Sequence, residues 1–169
     1  MILRITTWIF MIFGGAALSF YIDNQLFPLV YKDIIFHVFS FIVGFVLLLL
    51  VLRVSKNTGR TLAKYGREGK LPRMNTNKFV DKGVYKYMRH PMHLGLLFFP
   101  LSIALLLGSV SFILIIAPIE IVFMLIMIKL IEEPEAKRKF SKDYIDYMNY
   151  TPWFCFRIEC LKKLLSKNV

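Results

Sequence analysis

The chain has 169 residues, 57% of them apolar and 20% charged, with 22 Lys and Arg against 11 Asp and Glu, a net charge of +11. An ordinary soluble domain is about 45–50% apolar and about 25% charged, whereas this single domain's length of chain gathers its apolar residues in long blocks with the charges between them, as a membrane protein does. Cys155 and Cys160 are too few for a disulfide framework and lack the His or Cys partners of a zinc site, so neither redox chemistry nor a structural metal is expected.

Four blocks are predicted to span the membrane as helices: 5–22, 34–52, 91–107 and 110–131. At 1.5 Å per residue they reach roughly 25–33 Å, against a hydrocarbon core of about 30 Å. No alternating ten-residue strands of the kind a β-barrel needs are present, so the predicted class is an all-α integral membrane protein. The whole of 1–169 reads as one membrane domain. The first block reads as a span rather than a signal peptide, because its apolar run exceeds the roughly 7–15 residues of a signal core. Gly14 and Gly15 within it suit close helix contact, inside the bundle or between copies.

Basic residues set the predicted orientation. Residues 53–89 hold 11 Lys or Arg and only Glu68 and Asp81 as acids, whereas 23–33 holds Lys32 between two Asp. The first connection is therefore assigned to the cytoplasm and the second outside, which puts both termini in the cytoplasm and makes Gly108-Ser109 a tight external turn. Those Lys and Arg are spread out and flank a span, so lipid headgroups account for them without nucleic acid. Residues 58–65 are expected to form a separate short interfacial helix.

Span three opens on Arg89-His90-Pro91. Proline suits a helix's first position and disfavours helical backbone just before it, which places His90 near the N-cap. Arg89, His90 and the free amides there make either an anion site or a simple cap. Gly95, one turn on, would let a flat ligand approach the backbone. Glu120 lies near the middle of span four, where an ionisable group marks a cavity or a helix–helix hydrogen bond. That span ends in Glu132-Glu133-Pro134, with acids at the unfavourable end of a helix dipole. Pro134 is expected to start a new helix to about Asn149. Glu132 and Glu133 point about 100° apart on it and cannot share one task. Ala136, Phe140, Tyr144 and Tyr147 form one face of this amphipathic C-terminal helix, which by period is a packing face.

Taken together, Gly83-Val84-Tyr85, Arg89-His90-Pro91, Gly95, Glu132-Glu133, Phe140, Tyr144, Tyr147 and Pro152 resemble the isoprenylcysteine carboxyl methyltransferase family, and share parts of their pattern with membrane-embedded phospholipid methyltransferases. The resemblance covers 83–152. His93 stands where these enzymes usually have Tyr, and Ser141 where they usually have Gly. The resemblance implies a cytoplasm-facing S-adenosylmethionine pocket in the C-terminal half and a lipophilic acceptor arriving from the bilayer. It implies cofactor binding by Tyr85, Arg89, His90, Gly95 and Glu133, and substrate contacts by Tyr144 and Tyr147. A soluble methyltransferase would need a Rossmann-like domain with a Gly-rich turn, and this chain has neither.

Direct methyl transfer needs alignment and water exclusion more than a covalent nucleophile. A carboxylate on the sulfonium would favour the ground state, so the catalytic acid is expected nearer the acceptor, and Glu132 takes that role. An amine acceptor would give its proton to Glu132, whereas a carboxylate or thiolate would be positioned by Arg138. The acceptor is then a phospholipid amine or a prenylcysteine-like carboxylate. Two other readings stand beside this one: an NADPH-dependent membrane reductase of the sterol-reductase type, and a non-enzymatic four-helix membrane protein.

Overall fold

The computed structural model describes residues 2–70 and 76–166, and of residues 2–5 the backbone alone. Its regular structure is helical throughout: α1 (Ile2–Leu26), α2 (Pro28–Tyr31), α3 (Ile34–Tyr65), a 3-10 turn (Gly83–Lys86), α4 (Pro91–Leu97), α5 (Phe99–Leu107), α6 (Ala117–Met127), α7 (Glu133–Tyr150) and α8 (Ile158–Leu165). Among the described residues three helical stretches are long and apolar enough to cross a membrane: Thr6–Leu26, Ile34–Tyr65 and Phe112–Tyr150. Pro91–Leu107 is a shorter apolar stretch. The chain is an all-α membrane protein.

The second and fourth spans outrun the bilayer. At 1.5 Å per residue the 32 residues of α3 extend ~48 Å, so the expected interfacial helix over 58–65 is instead the continuation of α3 itself. Nothing in Thr58–Tyr65 breaks a helix until Gly66, whose amide closes the last turn on the Leu62 carbonyl.

As expected, α7 opens with Pro134 in its first turn and runs to Tyr150, but it continues from the preceding span without a break. A wide π turn over Phe112–Ile116 leads into α6, and a second over Ile128–Glu132 joins α6 to α7. Each lies just before a proline. Pro118 and Pro134 have no N–H, and in an α-helix their rings would meet the carbonyls of Leu114 and Leu130, four residues back. A π turn widens the backbone at that point and lets the helix continue. Span three responds differently. Pro100 sits in the first turn of α5, and Phe98 breaks the 17-residue stretch into α4 and α5.

The chain forms two compact units, 1–49 with 97–126, and 50–96 with 127–169. In the first, Ala104, Phe112, Ile116 and Ala117 make the core. Gly44 allows α3 to lie against the backbone of Leu105 and Leu106, where a Cβ would meet atoms at 2.7–2.9 Å. Gly108 ends α5 in left-handed backbone at φ 63°. The turn after it is fastened by Asp23, fully buried, which accepts from the Ser109 hydroxyl at 2.5 Å and the Ser111 amide at 2.8 Å. Of the glycine pair only Gly15 is crowded, by Ile116, Phe112 and the Glu120 carboxylate. Glu120 is buried with Oε2 lacking a hydrogen-bond partner, so that oxygen makes no helix–helix hydrogen bond.

The second unit is built on Val54, Val80, Val84, Tyr85, Met88, Leu94, Cys160 and Leu164. The last two come from α8, an element absent from the sequence-based expectation. Its C-terminal carbonyls are satisfied from α3, by Asn57 to Leu164 and Ser166 and by Arg53 to Leu165. Cys155 and Cys160 are joined by a disulfide, a pairing the sequence reading did not make. Two cysteines suffice here because the bridge closes one short loop onto α8 rather than framing a fold.

Candidate active site

All of the site residues read from the sequence fall in the second unit, on three segments: the 3-10 turn with the residues up to α4, α4 itself, and Glu132 with α7. Arg89 and Glu133 meet as an ion pair, Nη2 to Oε1 at 3.0 Å, with side chains only 9% and 7% exposed. His90 Nε2 lies 3.4 Å from the same oxygen. Arg89 also donates from Nη1 to the Met148 carbonyl at 3.1 Å. Charges 44 residues apart in sequence thus form one buried cluster on which α7 closes.

The backbone of Arg89-His90 is held as firmly as its side chains. The Arg89 amide donates to the Pro152 carbonyl at 2.9 Å and the His90 amide to Trp153 at 3.2 Å. These two amides are therefore engaged, and within Arg89-His90 the anion-binding group is the guanidinium of Arg89. Its Nε is buried with no hydrogen-bond partner, and so is the Tyr144 hydroxyl, which shares the electrostatic environment of Arg89, Glu132 and Glu133. Native proteins rarely leave such atoms unsatisfied, so two orphans beside one ion pair mark unused recognition capacity.

His90 is neutral at physiological pH. Burial, then the neighbouring His93 and Arg89 charges, pull its pKa from 6.5 down to about 3. Glu133 can only accept, so the ring places its proton on Nε2 and donates. Between pH 3 and 6.5 an unfolded His90 binds a proton that the folded one does not. The stabilisation is therefore complete above pH 6.5 and lost as pH falls below it. From pH 7 to pH 5 the folded state should lose ~2 kcal/mol through this residue. In His90→Gln that part of the slope should vanish, as read by denaturant unfolding in detergent across the two pH values.

The remaining residues take different places. Tyr85 lies in the core, and burial raises its hydroxyl pKa. Gly95 packs against Val54, whose Cγ1 a Cβ would meet at 2.8 Å. Close packing onto α3 thus accounts for this glycine, in place of an open ligand surface. Glu132 is half-buried, and Arg138 is exposed. Tyr147 is fully buried and its hydroxyl donates to the carbonyls of Tyr85 and Met88. The aromatic face expected on α7 exists, and its partner is Phe79, whose ring lies 5.2–6.3 Å from those of Phe140, Tyr144 and Tyr147. Phe79 sits in a polar stretch with no periodicity to single it out. Trp153 and Phe154 flank His90 at 6.1 and 6.4 Å.

Ser141 has φ 45° and ψ −121° inside α7, and is the one non-glycine at positive φ among the described residues. That backbone favours glycine, the residue usual at this position in the resembled enzymes, and costs a side chain of order 1 kcal/mol or more. Ser141→Gly should raise the unfolding temperature in detergent by about 2–4 °C. An unchanged or lowered midpoint would mean that the helix is regular there.

The phospholipid methyltransferase family model matches residues 33–143, about two thirds of the chain. The chain belongs to this family. No curated protein and no solved structure matches it. The matched span includes Arg89, His90, Glu132, Glu133 and Phe140, and ends just before Tyr144. Membership of the phospholipid methyltransferases implies methyl transfer to a lipid-type substrate, and sets the chain apart from the reductase and non-enzymatic readings.

Proposed function

We propose that this protein transfers methyl groups from S-adenosylmethionine to the amine of a membrane phospholipid, on the cytoplasmic face of the bilayer. The observation that carries this reading is the buried Arg89–Glu133 pair with His90 on the same carboxylate and unsatisfied atoms beside it. A cation and an anion held side by side complement an amino-acid terminus, its carboxylate toward Arg89 and its ammonium toward Glu133. Orphaned Arg89 Nε and Tyr144 hydroxyl add a donor and a donor-acceptor to that surface. The residues present therefore fit the cofactor's amino-acid end.

The cofactor supplies an electrophilic methyl on a sulfonium. The chain's own contribution is alignment, exclusion of water and one proton transfer. Neutral His90 orients the Glu133 carboxylate through Nε2–H. Glu132, adjacent in sequence and turned about 100° away, takes the proton from the acceptor nitrogen, so that its lone pair is free. Arg138 would matter for an acidic acceptor, and its exposure on α7 makes the amine the simpler fit. Residues 53–89, with their excess of nine positive charges, assign this face to the cytoplasm.

Calorimetric titration of the detergent-solubilised full chain tests the cofactor assignment. S-adenosylhomocysteine should bind and NADPH should not. Binding of NADPH with no response to S-adenosylhomocysteine would reverse the reading.

A further inference from the structure

Tyr147 faces a second feature of the same unit. Asp81, Lys82, Gly83 and Lys86 from the turn preceding α4, with Tyr147 and Tyr150 from the end of α7, line an open cleft of about 350 Å³. None of these residues except Tyr147 enters the site described above. The lining holds two ammonium groups, one carboxylate and two aromatic rings.

The arrangement of these groups is specific. Gly83, at φ 61°, reverses the chain between Lys82 and the 3-10 turn that carries Lys86, so both cations border one opening. The Tyr147 ring is fixed by its hydroxyl bonds to the Tyr85 and Met88 carbonyls. Tyr150, one turn on, stands at 84° to it with centroids 5.9 Å apart, and is 70% exposed. Tyr147 is buried and backs the cleft, so the ring open to an ammonium through cation–π attraction is that of Tyr150. The Asp81 carboxylate is within electrostatic reach of Tyr147. Lys82 is held only by a long approach to the Tyr65 ring, 5.9 Å from its centroid, and can turn to an anion.

A ligand matching this lining carries a phosphate and an alkylated ammonium a few bonds apart. We propose that the cleft captures the zwitterionic phosphoammonium headgroup of a membrane phospholipid, with its phosphate on Lys82 and Lys86 and its ammonium between Asp81 and the Tyr150 ring. The cleft is a holding site, distinct from the Arg89–Glu133 cluster, and it selects which lipid is presented there. Its role in turnover rests on the methyl-transfer reading above, whereas its binding does not.

The test uses the full chain in detergent with glycerophosphocholine as probe, followed by calorimetry or phosphorus NMR. Inorganic phosphate and tetramethylammonium serve as half-probes. Wild type should bind the probe saturably and more tightly than either half. Tyr150→Ala and the double variant Lys82→Ala/Lys86→Ala, all at exposed positions, should each weaken it roughly tenfold while leaving S-adenosylhomocysteine affinity unchanged. In turnover the same variants should raise KM for lipid with kcat retained. Absence of saturable probe binding, equal binding by the variants, or phosphate alone binding as well as the probe would overturn the proposal. So would a loss of S-adenosylhomocysteine affinity in these variants, which would make the cleft part of the cofactor site. Failure of wild type to bind S-adenosylhomocysteine would instead strike at the methyl-transfer reading, with probe binding still deciding the cleft.

Discussion

Glu133→Ala should lower stability by about 3–5 kcal/mol and abolish S-adenosylhomocysteine binding, the largest combined effect expected of any single substitution in this chain. The carboxylate is the common acceptor for Arg89 and His90, and all three side chains are less than a tenth exposed. Removing it leaves a guanidinium in a low-dielectric site with only the Met148 carbonyl to answer it. Arg89→Met/Glu133→Leu separates the two consequences, because replacing both members of a buried pair with apolar side chains is often neutral or stabilising. The double variant should regain most of the lost stability, measured by denaturant unfolding in detergent, and still fail to bind. If the single variants bind normally, the pair serves packing alone.

Glu132→Gln should reduce kcat by about 10²–10⁴, the usual contribution of a positioned general base, with S-adenosylhomocysteine affinity little changed. The substitution keeps size and hydrogen-bonding reach while removing the capacity to take a proton. Its half-buried position means that folding should be nearly unaffected. The ratio of single-turnover rates in wild type and variant, at saturating cofactor and lipid, is the deciding measurement. An unchanged rate would remove Glu132 from the proton path and leave proton loss to solvent.

The features legible in the amino-acid order were those with a local physical cause. Blocks near bilayer length, Pro91 at a helix start and the four-residue spacing from Phe140 to Tyr144 each report on neighbours a few residues away. Long-range pairing does not. Nothing in the run around Arg89 says that its partner is Glu133, nor that the amides beside it are taken by Pro152 and Trp153. Phe79 was missed because a single aromatic in a polar connection has no period. The eight residues of α8 are too few to stand out beside spans of twenty, although Cys160, Leu161 and Leu164 do repeat at helical spacing. The two π turns were legible in principle: Pro118 and Pro134 each demand room four residues upstream, and the helix widens there in both places.

The carbonyls of Pro152 and Trp153 that receive the Arg89 and His90 amides are groups every amino acid possesses. These two bonds do not depend on which side chains stand at 152 and 153, although the Trp153 ring also packs beside His90. A change in the number of residues between α7 and position 153 cannot be absorbed in the same way, since it would slide both rungs out of register. In this corner of the protein, selection should punish missing letters first.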